Sequence, residues 1–130
     1  MTVVSAQHAD PGHKMRPALV RYAHDNGYHF IDVFGRHNYH NLPNHSTLKY
    51  DRKEHTMREY KYFIAIENNS EHNYATEKLW EPIVNEMLCF YWGCPNILDY
   101  IEPDAFVPID PTNPFEACQT IQRAIDENWH

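Results

Sequence analysis

At 130 residues, 42% hydrophobic and 14% aromatic, the chain is sized and composed for one folded domain spanning residues 1–130. Such a domain buries roughly two-thirds of its unfolded surface. The 18 acids against 11 bases leave a net charge of −7 with no Lys/Arg run, which argues against nucleic acid as a partner. An anionic ligand would have to be held by a few local cations. No apolar run approaches the ~18 residues of a membrane span, and no signal-peptide core opens the chain, so a cytoplasmic location without a membrane span is expected. Cys89, Cys94 and Cys118 are odd in number and fit reduced thiols.

Taken in order, Thr2–Ala6 reads as a short buried strand, and Asp10-Pro11-Gly12 as a turn signal. A helix is predicted from about Met15 to Asn26, with Ala18, Leu19, Tyr22 and Ala23 on its apolar face and Asn26-Gly27 closing it. His29–Phe34 is the next strand. Arg36–Glu59 is polar, His-rich and poorly periodic, a long surface loop with a short helical piece. Tyr62–Ile66 is a third strand. Leu79, Trp80, Ile83, Val84, Met87 and Leu88 then form a one-face helical stripe. Pro82 breaks its backbone pattern, so the helix either starts near Glu81 or kinks. Cys89–Trp92 and Ala105–Ile109 are the last strands, and Phe115–Asn128 the closing helix. Tyr91 and Trp92 are expected in the core.

Strands alternating with helices predict right-handed βαβ units and a mostly parallel sheet of about five strands, a Rossmann-like α/β three-layer sandwich. In such a sheet the first and third strands can be neighbours. That would bring two helix starts to one crevice, Pro11–Arg16 and the segment after Ile66 that ends in Tyr74-Ala75-Thr76-Glu77-Lys78. Backbone N–H groups, Arg16, Lys78 and also Lys14 could converge there on an anion. No G-x-G-x-x-G fingerprint marks a dinucleotide site. His37-x-x-His40-x-x-x-x-His45, with Asp51 and His55 nearby, lacks the tight ligand pairs of a zinc site, and a solvated loop is expected rather than a metal.

Asn68, Asn69, Tyr74-x-Thr76-Glu77-Lys78 and Tyr91-Trp92-Gly93-x-Pro95 together resemble the donor-binding motif of the α-1,3-fucosyltransferases, glycosyltransferase family 10. Asp32-Val33-Phe34-Gly35-Arg36 also resembles that family's segment before its long loop. The resemblance implies one half of a GT-B enzyme that binds GDP-fucose and transfers fucose with inversion to a glycan acceptor. It implies phosphate contacts for Arg16 and Lys78, with Glu77 near the ribose and sugar. Asn68 and Tyr74 would line the nucleotide pocket, and no metal or cofactor would be required. It further implies an N-terminal domain carrying the acceptor site and a carboxylate base. Here Met1 is followed at once by the first donor-domain strand. A missing domain or a partner chain is therefore expected to hold the acceptor, and a homo-oligomer is left open. The alternatives are a non-catalytic nucleotide-sugar-binding module needing a partner chain, or a Rossmann-like binder of another ligand.

Overall fold

A computed structural model describes residues 1–48 and 53–130. The strands are β1 (Thr2–Val3), β2 (Val33–Gly35), β3 (His45–Thr47), β4 (Tyr62–Ile66), β5 (Leu88–Trp92) and β6 (Phe106–Pro108). The helices are α1 (Pro11–Asp25), α2 (Lys53–Met57), α3 (Glu77–Val84) and α4 (Pro114–Asp126). All strand pairs are parallel, in two hydrogen-bonded triplets ordered β1-β2-β3 and β4-β5-β6.

The triplets meet where Met1 bridges to β4. Its amino group donates to the Tyr62 carbonyl at 2.8 Å, and its carbonyl accepts from the Ile64 N–H at 2.9 Å. The spatial order is thus β3-β2-β1-β4-β5-β6, the doubly wound order with its switch point between β1 and β4. The next bond across that seam is made by a side chain, Thr2 Oγ1 to the Ile64 carbonyl at 2.9 Å. Among the described residues no further backbone bond joins β1 to β4, so the two strands part toward their carboxyl ends.

Strand alternation divides the core into two layers. Ile64, Ile66 and Phe90 pack with Leu19, Val20 and Ala23 of α1 and with Ala117, Cys118, Ile121 and Ala124 of α4. Phe63, Ala65, Cys89 and Tyr91 pack on the opposite face with Met57 of α2 and Leu79 of α3. Trp92 is half-buried against the first layer. All three cysteines are buried and unpaired.

Several expectations shift. A sixth strand, β3, lies inside the expected loop, and α2 is that loop's helical piece. As a mostly exposed edge strand, β3 has no apolar alternation to reveal it. Asp51 lies outside the described residues. Helix α1 begins at Pro11, because Asp10-Pro11-Gly12 is a helix start rather than a free turn: Asp10 is the N-cap and Pro11 takes the first helical position. Helix α3 begins at Glu77, holds Pro82 in its interior and stops at Val84. Met87 therefore lies beyond the helix, and Leu88 belongs to β5, where the apolar stripe had masked the boundary.

Gly12 fixes how α1 meets β4. Its N–H donates to the Asn68 carbonyl at 2.8 Å, and a Cβ there would run into the Glu67 carbonyl. We expect Gly12→Ala to destabilise the fold by about 1–3 kcal/mol, read as a lower denaturant midpoint. Lys14→Ala, at an exposed position two residues along, should leave the midpoint unchanged.

Candidate functional site

The parting of β1 and β4 opens a crevice of about 270 Å³ at the carboxyl ends of the strands. Its walls include Val3, Ser5 and Gln7 from the β1 side and Phe63 to Ile66 and Asn68 from the β4 side. His13 and Arg16 enter from α1, Glu77 and Lys78 from α3, and Lys53 from α2. In an open α/β sheet the carboxyl end of the switch point is where ligands bind.

The first turn of α1 is closed on itself. The His13 N–H donates to the Asp10 carbonyl at 3.1 Å, and the Asp10 N–H donates to His13 Nδ1 at 3.3 Å. Arg16, one turn in, is only 6% exposed. Its Nη2 donates to Asn68 Oδ1 at 2.5 Å, while its buried Nε finds no partner among the described residues. Burial lowers the Arg16 pKa, and Glu67, foremost among the nearby acids, opposes that shift. The guanidinium is thus largely desolvated and incompletely satisfied, a state that favours an incoming anion.

The start of α3 is built around Glu67, which has no exposure at all. Its Oε1 accepts the Thr76 N–H and its Oε2 the Thr76 hydroxyl, both at 2.7 Å. Thr76 is the N-cap of α3, its hydroxyl accepting the Lys78 N–H at 3.4 Å. The Lys78 ammonium lies 3.5 Å from Glu67 Oε2 and 3.3 Å from Glu77 Oε1. Glu77 is the more exposed acid of the two. Burial is the strongest single influence on its carboxyl and acts upward, but its backbone hydrogen bond and Lys78 together bring the pKa down. Lys53 is ion-paired with Glu81.

Four of the five residues expected to form a site, Arg16, Asn68, Glu77 and Lys78, line one crevice. The fifth, Tyr74, sits just outside its walls in the loop leading to Thr76. Burial raises its hydroxyl pKa, and Glu67 adds to the effect. Lys14 points to solvent and Arg36 is exposed, so neither joins the group. Glu67, His13 and Lys53 carry site geometry that sequence reasoning did not assign. The signal for Glu67 was present, an acid directly after a fully apolar strand; His13 and Lys53 had none. Among the described residues no three His, Cys, Asp or Glu side chains gather as a metal site, and His40 instead bonds the Ser5 carbonyl at 2.9 Å. No helix among them is long and apolar enough to cross a membrane.

The doubly wound sheet with a cation-bearing switch-point crevice defines the class, a Rossmann-like α/β domain. The model of the C-terminal region of glycosyltransferase family 10 (fucosyltransferase) matches residues 5–128, and the chain belongs to that family. It is 28% identical over 123 residues to the 3-galactosyl-N-acetylglucosaminide 4-alpha-L-fucosyltransferase FUT3 of Pan troglodytes, covering 88% of this chain and 29% of that protein. It is 44% identical over 48 residues to alpha-(1,3)-fucosyltransferase B of Drosophila melanogaster, covering 37% of this chain and 11% of that one. The fold is similar to a crystal structure of an alpha1,3-fucosyltransferase with GDP-fucose, with a TM-score of 0.66, 22% identity, and coverage of 95% of this chain and 34% of the other. The chain spans less than a third of the length of the curated FUT3 relative.

Glu67→Gln would keep the volume but set an amide N–H against one of the two Thr76 donors. We expect a loss of about 1–3 kcal/mol in urea unfolding, with faster amide exchange at the start of α3. Glu116→Gln, on the exposed side of α4, should do neither.

Proposed function

We propose that this chain is the donor-binding part of a fucosyltransferase, holding GDP-fucose in the β1–β4 crevice for inverting transfer to a glycan. The observation that carries this reading is the buried Arg16 guanidinium with an unpartnered Nε, facing the same crevice as Lys78. In an inverting displacement the acceptor oxygen attacks the anomeric carbon while the bond from that carbon to the diphosphate breaks. The acceptor proton passes to a base, and the diphosphate leaves with one more negative charge. Arg16 and Lys78 stabilise that developing charge, which acts on the transition state more than on the ground state. The helix starts of α1 and α3 add partial positive charge. Asn68, Tyr74 and Glu77 orient the ribose and sugar. With these cations the diphosphate needs no divalent ion.

Calorimetric titration with GDP, GDP-fucose and UDP tests the donor. GDP and GDP-fucose should bind, with UDP weaker. Arg16→Ala or Lys78→Ala should weaken GDP binding roughly tenfold or more, since a charged hydrogen bond is worth about 1.5–3 kcal/mol. The exposed Arg36→Ala should change it little, and EDTA should change nothing. Parent-like binding by both crevice variants would sink the assignment.

The two acids nearest the crevice are occupied, Glu67 by Thr76 and Glu77 by Lys78. Neither is a free base for an acceptor hydroxyl, and a positioned base contributes ~10²–10⁴-fold. The 130-residue chain should therefore bind GDP-fucose yet transfer fucose to N-acetyllactosamine-type acceptors at a negligible rate in a radiolabelled-donor assay. Absence of transfer even with the remaining portion of a family member supplied in trans would favour a non-catalytic binding module. Robust, saturable transfer by this chain alone would mean that a second copy completes the site or that Glu67 or Glu77 is the base.

A further inference from the structure

His13 and Lys53 are the ionisable groups on the crevice wall to which the proposed function gives no task, and Lys53 is already paired with Glu81. The His13 side chain is 3% exposed. Nδ1 is turned back to the helix cap, where it accepts the Asp10 N–H at 3.3 Å. A ring nitrogen that accepts a hydrogen bond carries no proton, so the neutral ring holds its proton on Nε2. Nε2 makes no hydrogen bond to the described residues, yet it is not sealed off as His45 Nε2 is. The ring lines the crevice beside Arg16, its distal edge offering a single N–H donor.

We propose that His13 is a ligand-contacting residue of the donor site, donating from Nε2 to the diphosphate and taking up a proton as the donor binds. This rests on the reading of the crevice as a nucleotide-sugar site. The charged ring has a ready arrangement, because Asp10 Oδ2 stands 3.5 Å from Nδ1. On protonation Nδ1–H gives up the Asp10 N–H and turns to the Asp10 carboxylate, while Nε2–H still points away from the cap. The groups that face the ring decide when this happens. Arg16 on the same helix, Lys78 on α3 and His8 in the segment before α1 act against a positive charge, and Asp10 acts for it. In the free protein burial foremost, then Arg16, holds the His13 pKa below its ordinary value. A diphosphate between Arg16 and Lys78 compensates both cations and adds negative charge near the ring, so the pKa rises on binding. The sign follows. Donor affinity strengthens as the pH falls through the bound-state pKa, and levels off below the lower free-state pKa.

GDP-fucose is the probe, because neither of its phosphates takes up a proton between about pH 8 and about pH 5, the range in which histidines titrate. Titration calorimetry in two buffers of different ionisation enthalpy should show net proton uptake by the parent and roughly tenfold tighter binding at the acid end. His13→Gln supplies a neutral N–H of similar reach that cannot titrate. It should bind like the parent at the alkaline end and lose both the uptake and the acid gain. His13→Asn keeps an acceptor for the cap but cannot reach the ligand, and should bind more weakly throughout. Histidine side-chain NMR on the parent, with the His13 signal identified by its loss in His13→Asn, should show its pKa rising on saturation with GDP-fucose. A His13 titration unmoved by saturation with GDP-fucose would overturn the proton uptake. Binding with the same proton uptake in parent and both variants would overturn the role of His13 and leave the donor site standing. Failure of the parent to bind at any pH would overturn the donor reading and this inference with it.

Discussion

A carboxylate with no exposure, Glu67 at the end of β4, is the interaction on which the rest of the site depends. Removing an ion from water costs several kcal/mol unless its lone pairs are satisfied. Here two Thr76 donors at 2.7 Å and the Lys78 ammonium at 3.5 Å satisfy them. Those bonds close the loop between β4 and α3 and fix where α3 begins. The same residue leaves no room for side chains around it. A Cβ on Gly12 would strike its carbonyl, and one on Gly93 would strike its Cγ. Its own N–H donates to the Trp92 carbonyl at 2.9 Å. One buried acid therefore touches the starts of both crevice helices and the end of β5.

The crevice follows from how few bonds join β1 to β4. A parallel ladder continued along that seam would have kept the two strands together. Instead the Thr2 hydroxyl occupies the Ile64 carbonyl, and the chain leaves the sheet toward α1 on one side and α3 on the other. A chain with a net charge of −7 thereby gathers Arg16, Lys53 and Lys78 around one opening. Their influence is greatest there because Arg16 is largely out of water, where electrostatic interactions are screened least. Arg16 and Lys78 have acids close by, Glu67 and Glu77, so the fold tolerates the cations before any ligand arrives.

What was legible in the sequence depended on the kind of signal. Tyr62–Ile66 is a continuous apolar run and the apolar face of α1 repeats at helical spacing, so buried strand and helix could be read, and their alternation along the chain implied the layered parallel sheet. Asp10-Pro11-Gly12 reads as a turn because proline and glycine both favour one, yet Asp10 caps α1 and Pro11 opens it. The packing of Gly12 against the Glu67 carbonyl decided in favour of the helix, and that contact is 55 residues distant in sequence (67 − 12). The stripe from Leu79 to Leu88 hid the end of α3 because a helix and the buried strand after it are both apolar. Arg16, Asn68, Glu77 and Lys78 could be placed together because they flank predictable strand ends. Lys53 could not, since it reaches the crevice from a loop without periodicity.

The loop bearing Tyr74 is also held from outside. Asn73 takes a left-handed backbone conformation, φ 61°, which asparagine tolerates better than most residues. Its N–H donates to Asn96 Oδ1 at 2.9 Å, and Asn96 Nδ2 donates back to Asn73 Oδ1 at 2.9 Å. Asn96 also donates to Asp99, and the Tyr100 hydroxyl donates to Asn73 Oδ1. These bonds are exposed and individually weak, because water competes for every partner. Their effect is geometric. Glu67 grips the loop at Thr76 from within, and the segment after β5 grips it at Asn73 from without. Only Tyr74 and Ala75 lie between the two clamps, so the loop enters α3 in a set direction. An ordered loop loses little further conformational entropy when a ligand binds against it. The site is thus organised by the fold, with Arg16 left incompletely satisfied as the group a ligand would complete.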